Sequence, residues 1–308
     1  MNFKPATYEQ AVEYWLRQQQ AHWLHTEISM ASDINDWKMR LTDAEKSVVG
    51  NILKGFAQTE VIVNDYWSRR VSKWFPVPEI VAMSTAFGSM ETVHAEAYAY
   101  LNESLGLTDY TGFLAEPTTK AKLDKLIETQ GTNRESIATS LAVFSGFAEG
   151  VQLFSSFAAL MNFSRFNRLK GVGQIVAFSV RDESLHSEAG CWLFRQLCEE
   201  NKGLHEAVYS NVRRAAVECI KLEDNFIDKC FEAGDIEGLS AADLKAFIRF
   251  RANTKLGDLG YKGYFKVVDS AAMDWFDYMT AGLEHNDFFS GRTTAYSKGV
   301  VDFNGIFD

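Results

Sequence analysis

The sequence predicts an all-α protein, a large helical bundle with extra helices, and three observations carry that prediction. Only four prolines and 21 glycines occur in 308 residues, and the glycines fall mostly between periodic segments. Helix start signals recur ahead of segments with 3.6-residue apolar periodicity. Several of those segments run past about 25 residues without a clean heptad repeat, as helices inside a large bundle do. No βαβ pattern and no interdomain linker interrupts the series.

The first helix is expected over 6–29, with Ala11, Tyr14, Trp15 and Leu16 as its apolar positions. The next begins at a capping box, Thr42 to Glu45, and runs to about Trp74. A third starts on Pro78, a favoured first-turn residue, and stops near Gly106. A short amphipathic piece at 118–130 follows. A second capping box, Thr132 to Glu135, then opens a long apolar helix that reaches Arg165. Further helices are expected over 167–200, 204–233 and 241–259, with Gly171 and Gly173 loosening the start of the first. After that the pattern changes. "HNDFFSGRTTAYSKGVVDFNGIFD" mixes Gly, Ser, Asp and isolated aromatics without a period. The expected organisation is one helical domain, 1–289, and a mobile tail, 290–308.

Composition excludes several classes of function. Basic residues number 31 and acidic residues 41, a formal charge of −10, and no basic cluster interleaved with aromatics is present. Nucleic acid is therefore not an expected partner. The start, "MNFKPATYEQ", lacks the apolar core of a signal peptide. The most apolar stretch, 141–161, is broken by Glu149 and Gln152, so no membrane span is expected. Cys191, Cys198, Cys219 and Cys230 show no CxxC pairing and read as reduced, mostly buried thiols of a cytoplasmic protein.

The chemistry lies in charged residues set among apolar ones. "METVHAEAY" (90–98) and "DESLH" (182–186) each hold Glu-x-x-His, which puts Glu91 beside His94 and Glu183 beside His186 on one helix face. Burying a carboxylate alone is costly, and a bound cation would offset that cost. Two isolated glutamates complete the set. Glu60 sits in "FAQTEVIVNDYW" and Glu149 in "VFSGFAEGVQLFSSF". A single Glu-x-x-His is usually a solvated surface pair. Two such pairs with two lone glutamates, each group on its own long helix, form the order used by ferritin-like di-iron and di-manganese carboxylate proteins. His22, His25, His205 and His285 do not fit this pattern and read as surface or structural residues.

With those six residues placed, the chain resembles the radical-generating small subunit of class I ribonucleotide reductase, and the likeness extends over nearly its whole length. "ETVHAEAY", "RDESLH", "ANTKLGDLGY" and "NDFFSGRTTAY" resemble family segments in the family's order. The resemblance implies that Glu60, Glu91, His94, Glu149, Glu183 and His186 hold two divalent metal ions. It implies that Tyr98 lies beside them, and that Trp23, Asp182 and His94 form a radical-transfer route. Tyr296 would relay the radical to a large catalytic subunit, on which the tail, with Phe303 and Phe307, docks. It also implies a homodimer. The oxidant would start a cysteine thiyl radical on the large subunit, where ribonucleotides become deoxyribonucleotides.

One departure matters. The tyrosyl-radical members have aspartate at the first ligand position, whereas this chain has Glu60 together with a retained Tyr98. That combination resembles the dimanganese type. Manganese is therefore favoured, with iron or mixed Mn/Fe also compatible with the donor set. Ser179 either brings a hydroxyl near the cluster or back-bonds to its own helix. The same donors also serve a lipid-binding dimetal oxidase, which needs no Tyr296 on a docking tail. They serve ferritin-like storage proteins too, whose chains are much shorter. A metal-free helical scaffold is the remaining alternative, and it would melt at the same temperature with and without metal.

Overall fold

Thr42 and Glu45 close the reciprocal cap that the sequence predicts: the Thr42 hydroxyl accepts from Glu45 N, and the Glu45 carboxylate from Thr42 N. The computed structural model that places them describes residues 4–109, 115–128, 131–266 and 273–280. These residues form helices and hold no strand, only an isolated Ile236–Leu239 bridge. The helices are α1 (Glu9–Gln20), α2 (Ala31–Met39), α3 (Asp43–Asp65), α4 (Pro78–Leu105), α5 (Pro117–Glu128), α6 (Arg134–Arg165), α7 (Lys170–Glu200), α8 (Leu204–Cys230) and α9 (Ala241–Asp258). A further short helical segment occupies 274–280.

Two expectations are corrected. The segment 6–29 is not one helix: α1 stops at Gln20, and only a 3-10 turn, His25–Glu27, follows. The Arg181 guanidinium caps the Ala21 carbonyl, which lets the chain turn and bring Trp23 into the core. The second capping box uses Asn133 and Ser136, one residue beyond the predicted pair. Wide π-helical stretches adjoin two of the four ligand helices, Tyr66–Val71 continuing from the end of α3 and Ala142–Gln152 lying within α6. Such stretches insert an extra residue per turn and concentrate at functional sites.

The short α2, absent from the sequence reading, fixes the start of α7. Asp33 accepts from Gly171 N at 3.0 Å and Val172 N at 2.8 Å, while Asp36 accepts from Leu169 N at 2.9 Å. Side chains from one helix thus satisfy the orphan N–H groups of another. Helices α3, α4, α6 and α7 pack around a common core filled by Trp67, Phe87, Phe144 and Phe157. Helix α6 is long and apolar enough to cross a membrane, yet 89% of its apolar window is buried inside the bundle. It is the central core helix.

α7 crosses the wide stretch of α6 at Gly190, where a Cβ would overlap the Ser145 side chain. Gly190→Ala is expected to cost about 1–3 kcal/mol by overpacking. A lower Tm by calorimetry, with helical content unchanged at 20 °C, checks this.

Candidate metal centre

Four helices deliver the six residues to one place. Glu60 comes from α3, Glu91 and His94 from α4, Glu149 from the wide stretch of α6, and Glu183 and His186 from α7. All six are fully buried. They fall into two overlapping groups, Glu60–Glu91–His94–Glu183 and Glu91–Glu149–Glu183–His186, whose donor atoms lie within 4.8 Å of one another. Glu91 and Glu183 are common to both.

The shared carboxylates face both imidazoles. Glu91 sets Oε2 3.1 Å from His94 Nδ1 and Oε1 2.7 Å from His186 Nδ1. Glu183 sets Oε1 3.1 Å from His94 Nδ1 and Oε2 3.8 Å from His186 Nδ1. Each carboxylate therefore offers one oxygen to each side, as a bridge between two cations would.

The donors fit metal better than they fit one another. Glu91 Oε1 and His186 Nδ1 are 2.7 Å apart, yet neither makes a hydrogen bond of acceptable geometry. Both oxygens of Glu60, both of Glu183 and Oε2 of Glu149 are likewise buried without a hydrogen bond. Orphaned buried acceptors on this scale are rare in folded proteins. Four carboxylates and two neutral imidazoles balance two divalent cations, and oxygen-rich sites with one imidazole per ion suit Mn or Fe.

Electrostatics agree. Burial, and then the neighbouring carboxylates, pushes Glu60, Glu149 and Glu183 well above the usual carboxylate range. Burial also works against Glu91, but the two histidines outweigh it and hold this carboxyl at about 2. Burial disfavours the His94 cation, whereas the close carboxylates of Asp182, Glu183 and Glu91 prevail and raise it well above the normal value. Without metal, protons carry the compensating charge. Groups held protonated by raised pKa values must lose those protons to bind a cation, so affinity must rise with pH. Mn2+ uptake should release protons, measurable by calorimetry in buffers of different ionisation enthalpy.

The outer ring of hydrogen bonds fixes these side chains. His94 Nε2–H donates to Asp182 Oδ2 at 3.2 Å, and the Trp23 indole N–H donates to the same oxygen at 2.7 Å. His186 Nε2–H donates to Gln18 Oε1 at 2.8 Å, and Gln18 Nε2 reaches Asp182 Oδ1 at 3.4 Å. Both rings thereby turn Nδ1 toward the cluster. The Trp67 indole N–H donates to Glu149 Oε1 at 2.5 Å. Burial raises Asp182, but His94, Arg181 and Trp23 more than offset it, so the carboxyl stays ionised.

Gln18 and Trp67 escaped the sequence reading. Gln18 is one of three consecutive glutamines, and Trp67 is aimed by a π-helical turn that no local pattern announces. Tyr98 is buried beside the site, its ring 6.4 Å from that of His94, and its hydroxyl makes no hydrogen bond. The Ser179 hydroxyl is spent on Ile175 O of its own helix at 3.2 Å. Tyr296, Phe303 and Phe307 lie outside the described residues. The four cysteines are free and buried, with burial pushing Cys191 up to about 12 and Cys198 up to about 11.

Comparison with known proteins agrees with the site. The sequence profile described as "Ribonucleotide reductase, small chain" matches residues 1–271. The probable ribonucleoside-diphosphate reductase small subunit 048L of Invertebrate iridescent virus 3 is 34% identical, covering 97% of this chain and 85% of its own. The fold matches a putative class I ribonucleotide reductase from Bacillus halodurans with a TM-score of 0.82 at 21% identity, covering 88% of this chain and 99% of that one. It also matches dimanganese(II)-NrdF of Streptococcus sanguinis, with a TM-score of 0.75 at 21% identity over 89% and 98% of the two chains. The chain belongs to the ribonucleotide reductase small-chain family.

Proposed function

We propose that this chain is the subunit that generates and stores a one-electron oxidant for a ribonucleotide reductase large subunit, and that the oxidant resides on a manganese-containing dinuclear site. Glu60, Glu91 and His94 would hold one ion, Glu149, Glu183 and His186 the other, with Glu91 and Glu183 between them. Once bound and oxidised by an external activating oxidant such as dioxygen or superoxide, the two ions would hold the oxidising equivalent, away from water.

The chain's own residues move the electron. Trp23 is buried against Phe178 at 5.1 Å between ring centroids, and its indole N–H already donates to Asp182. An electron leaving Trp23 toward the site follows the Asp182–His94 hydrogen bonds, and the ionised Asp182 carboxylate receives the indole proton over 2.7 Å. Against the cost of burial, His94 and then Arg181 keep that carboxylate charged. Trp23 is also the proposed exit, with Tyr296 as the next carrier into the large subunit and 290–308 as the docking segment. The family match ends at residue 271, so this segment lies beyond it. The active form would be a homodimer joined to the large subunit in the cytoplasm.

The unpartnered hydroxyl of Tyr98 carries the choice of a metal-centred oxidant. Oxidising a tyrosine requires its proton to leave, and neither Glu60 nor Ser179 accepts it here. Burial and the Glu60 carboxylate push the phenol well above its usual range as well. Low-temperature EPR on the active, large-subunit-competent protein, with metal analysis, tests the reading. A multiline manganese signal that persists in Tyr98→Phe is expected. A narrow organic radical lost in Tyr98→Phe, together with nucleotide reduction, would overturn it.

A further inference from the structure

The wide stretch of α6 presents a problem of register that the four ligand helices do not solve alone. If its extra residue relaxed into an α-helical turn, the residues on one side would rotate relative to the other by roughly 100°. Glu149 lies inside that stretch. Its carboxylate is aimed only while the wide turn persists.

Contacts behind Glu149 hold the turn, and they converge on the next residue, Gly150. From α7, the Ser187 hydroxyl, next to His186, lies 2.7 Å from where a Gly150 Cβ would stand. From α9, the Lys255 side chain lies 2.8 Å from the same point, with its ammonium 2.9 Å from Asp258 Oδ2. One turn earlier on α9, Arg251 Nε donates to the Gly150 carbonyl at 2.9 Å. The Arg251 guanidinium carbon sits 3.4 Å above the centre of the Phe154 ring, one turn further along α6. A single side chain thus grips both the carbonyl after Glu149 and the ring where the ordinary helix resumes.

We propose that Arg251 is a positioning residue for one of the two metal ions: by holding the Gly150 carbonyl and the Phe154 ring, it fixes the wide turn of α6 and hence the Glu149 carboxylate. The inference rests on the dinuclear reading above. It also assigns a role to α9, which supplies none of the six ligands. A guanidinium suits this task because it is planar, stacks on an aromatic face and donates in the ring plane at once. Burial lowers its pKa only to about 10, so the charge persists at neutral pH.

The experiment is a Mn2+ titration of the full chain by calorimetry and EPR, comparing wild type, Arg251→Met, Arg251→Lys and Glu149→Gln. Wild type should take up two ions, and Glu149→Gln identifies the binding step that depends on Glu149. Arg251→Met should weaken that step alone by roughly 10- to 100-fold, the usual effect of losing an outer support. Arg251→Lys, which keeps one donor, should recover most of it. Two unchanged steps in Arg251→Met would overturn the inference, and so would an equal loss at both steps with a lower Tm. Fewer than two ions in wild type would instead remove the dinuclear reading, and this inference with it.

Discussion

Glu183→Gln is expected to abolish binding of both metal ions, whereas Glu60→Gln or Glu149→Gln should each abolish one. The difference follows from geometry. Glu183 presents one oxygen to each histidine, and Glu91 does the same from the opposite helix, so each belongs to both donor groups. Glutamine keeps the shape but offers one neutral oxygen, and it cannot bridge two cations. Glu60 and Glu149 each belong to one group. The consequence for stability is large, because each ion held at 100 times its Kd adds about 2.7 kcal/mol. The Tm of wild type should rise with Mn2+ in two stages, that of Glu60→Gln in one, and that of Glu183→Gln not at all. The metal-free Glu183→Gln protein should still fold, since burial already keeps this carboxyl protonated without metal. Metal counting by mass spectrometry together with calorimetry checks each arm.

Trp23→Phe should leave metal uptake intact and reduce nucleotide reduction, with the large subunit present, to background. Phenylalanine fills most of the space of the indole but has neither its N–H nor its ease of oxidation. Asp182→Asn should show the milder form of the same defect. It keeps the size and loses the charge that Trp23 and His94 both address, so a fall of roughly 10- to 100-fold is expected. Because His94 Nε2–H would then meet a neutral amide, Asp182→Asn should also weaken one metal step, which Trp23→Phe should not. Single-turnover radical transfer measured beside metal content separates the two roles.

Much of this was legible in the residues. Four buried acids and two histidines could be found because each stands among apolar neighbours at helical spacing, and a carboxylate in that setting needs a counter-charge. Helix starts were legible where a capping box is strong, as at Thr42, and shifted by a residue where Asn133 competed with Thr132 for the same role. What the sequence hid has tertiary causes. The wide turn at Tyr66–Val71 packs against α4, and that at Ala142–Gln152 against α7 and α9, partners that no local pattern announces. The end of α1 depends on Arg181, 160 positions away in the chain. Gln18 acquires its role only because α1 lies across α7, and Asp33 caps a helix that begins more than a hundred residues later.

The most direct measurement is anomalous diffraction at the manganese and iron edges from crystals grown with both ions. The account predicts two peaks per chain, roughly 3.5–4 Å apart, between Glu91 and Glu183, with manganese at one or both. No peak among these six residues, or one ion bound elsewhere, would contradict it.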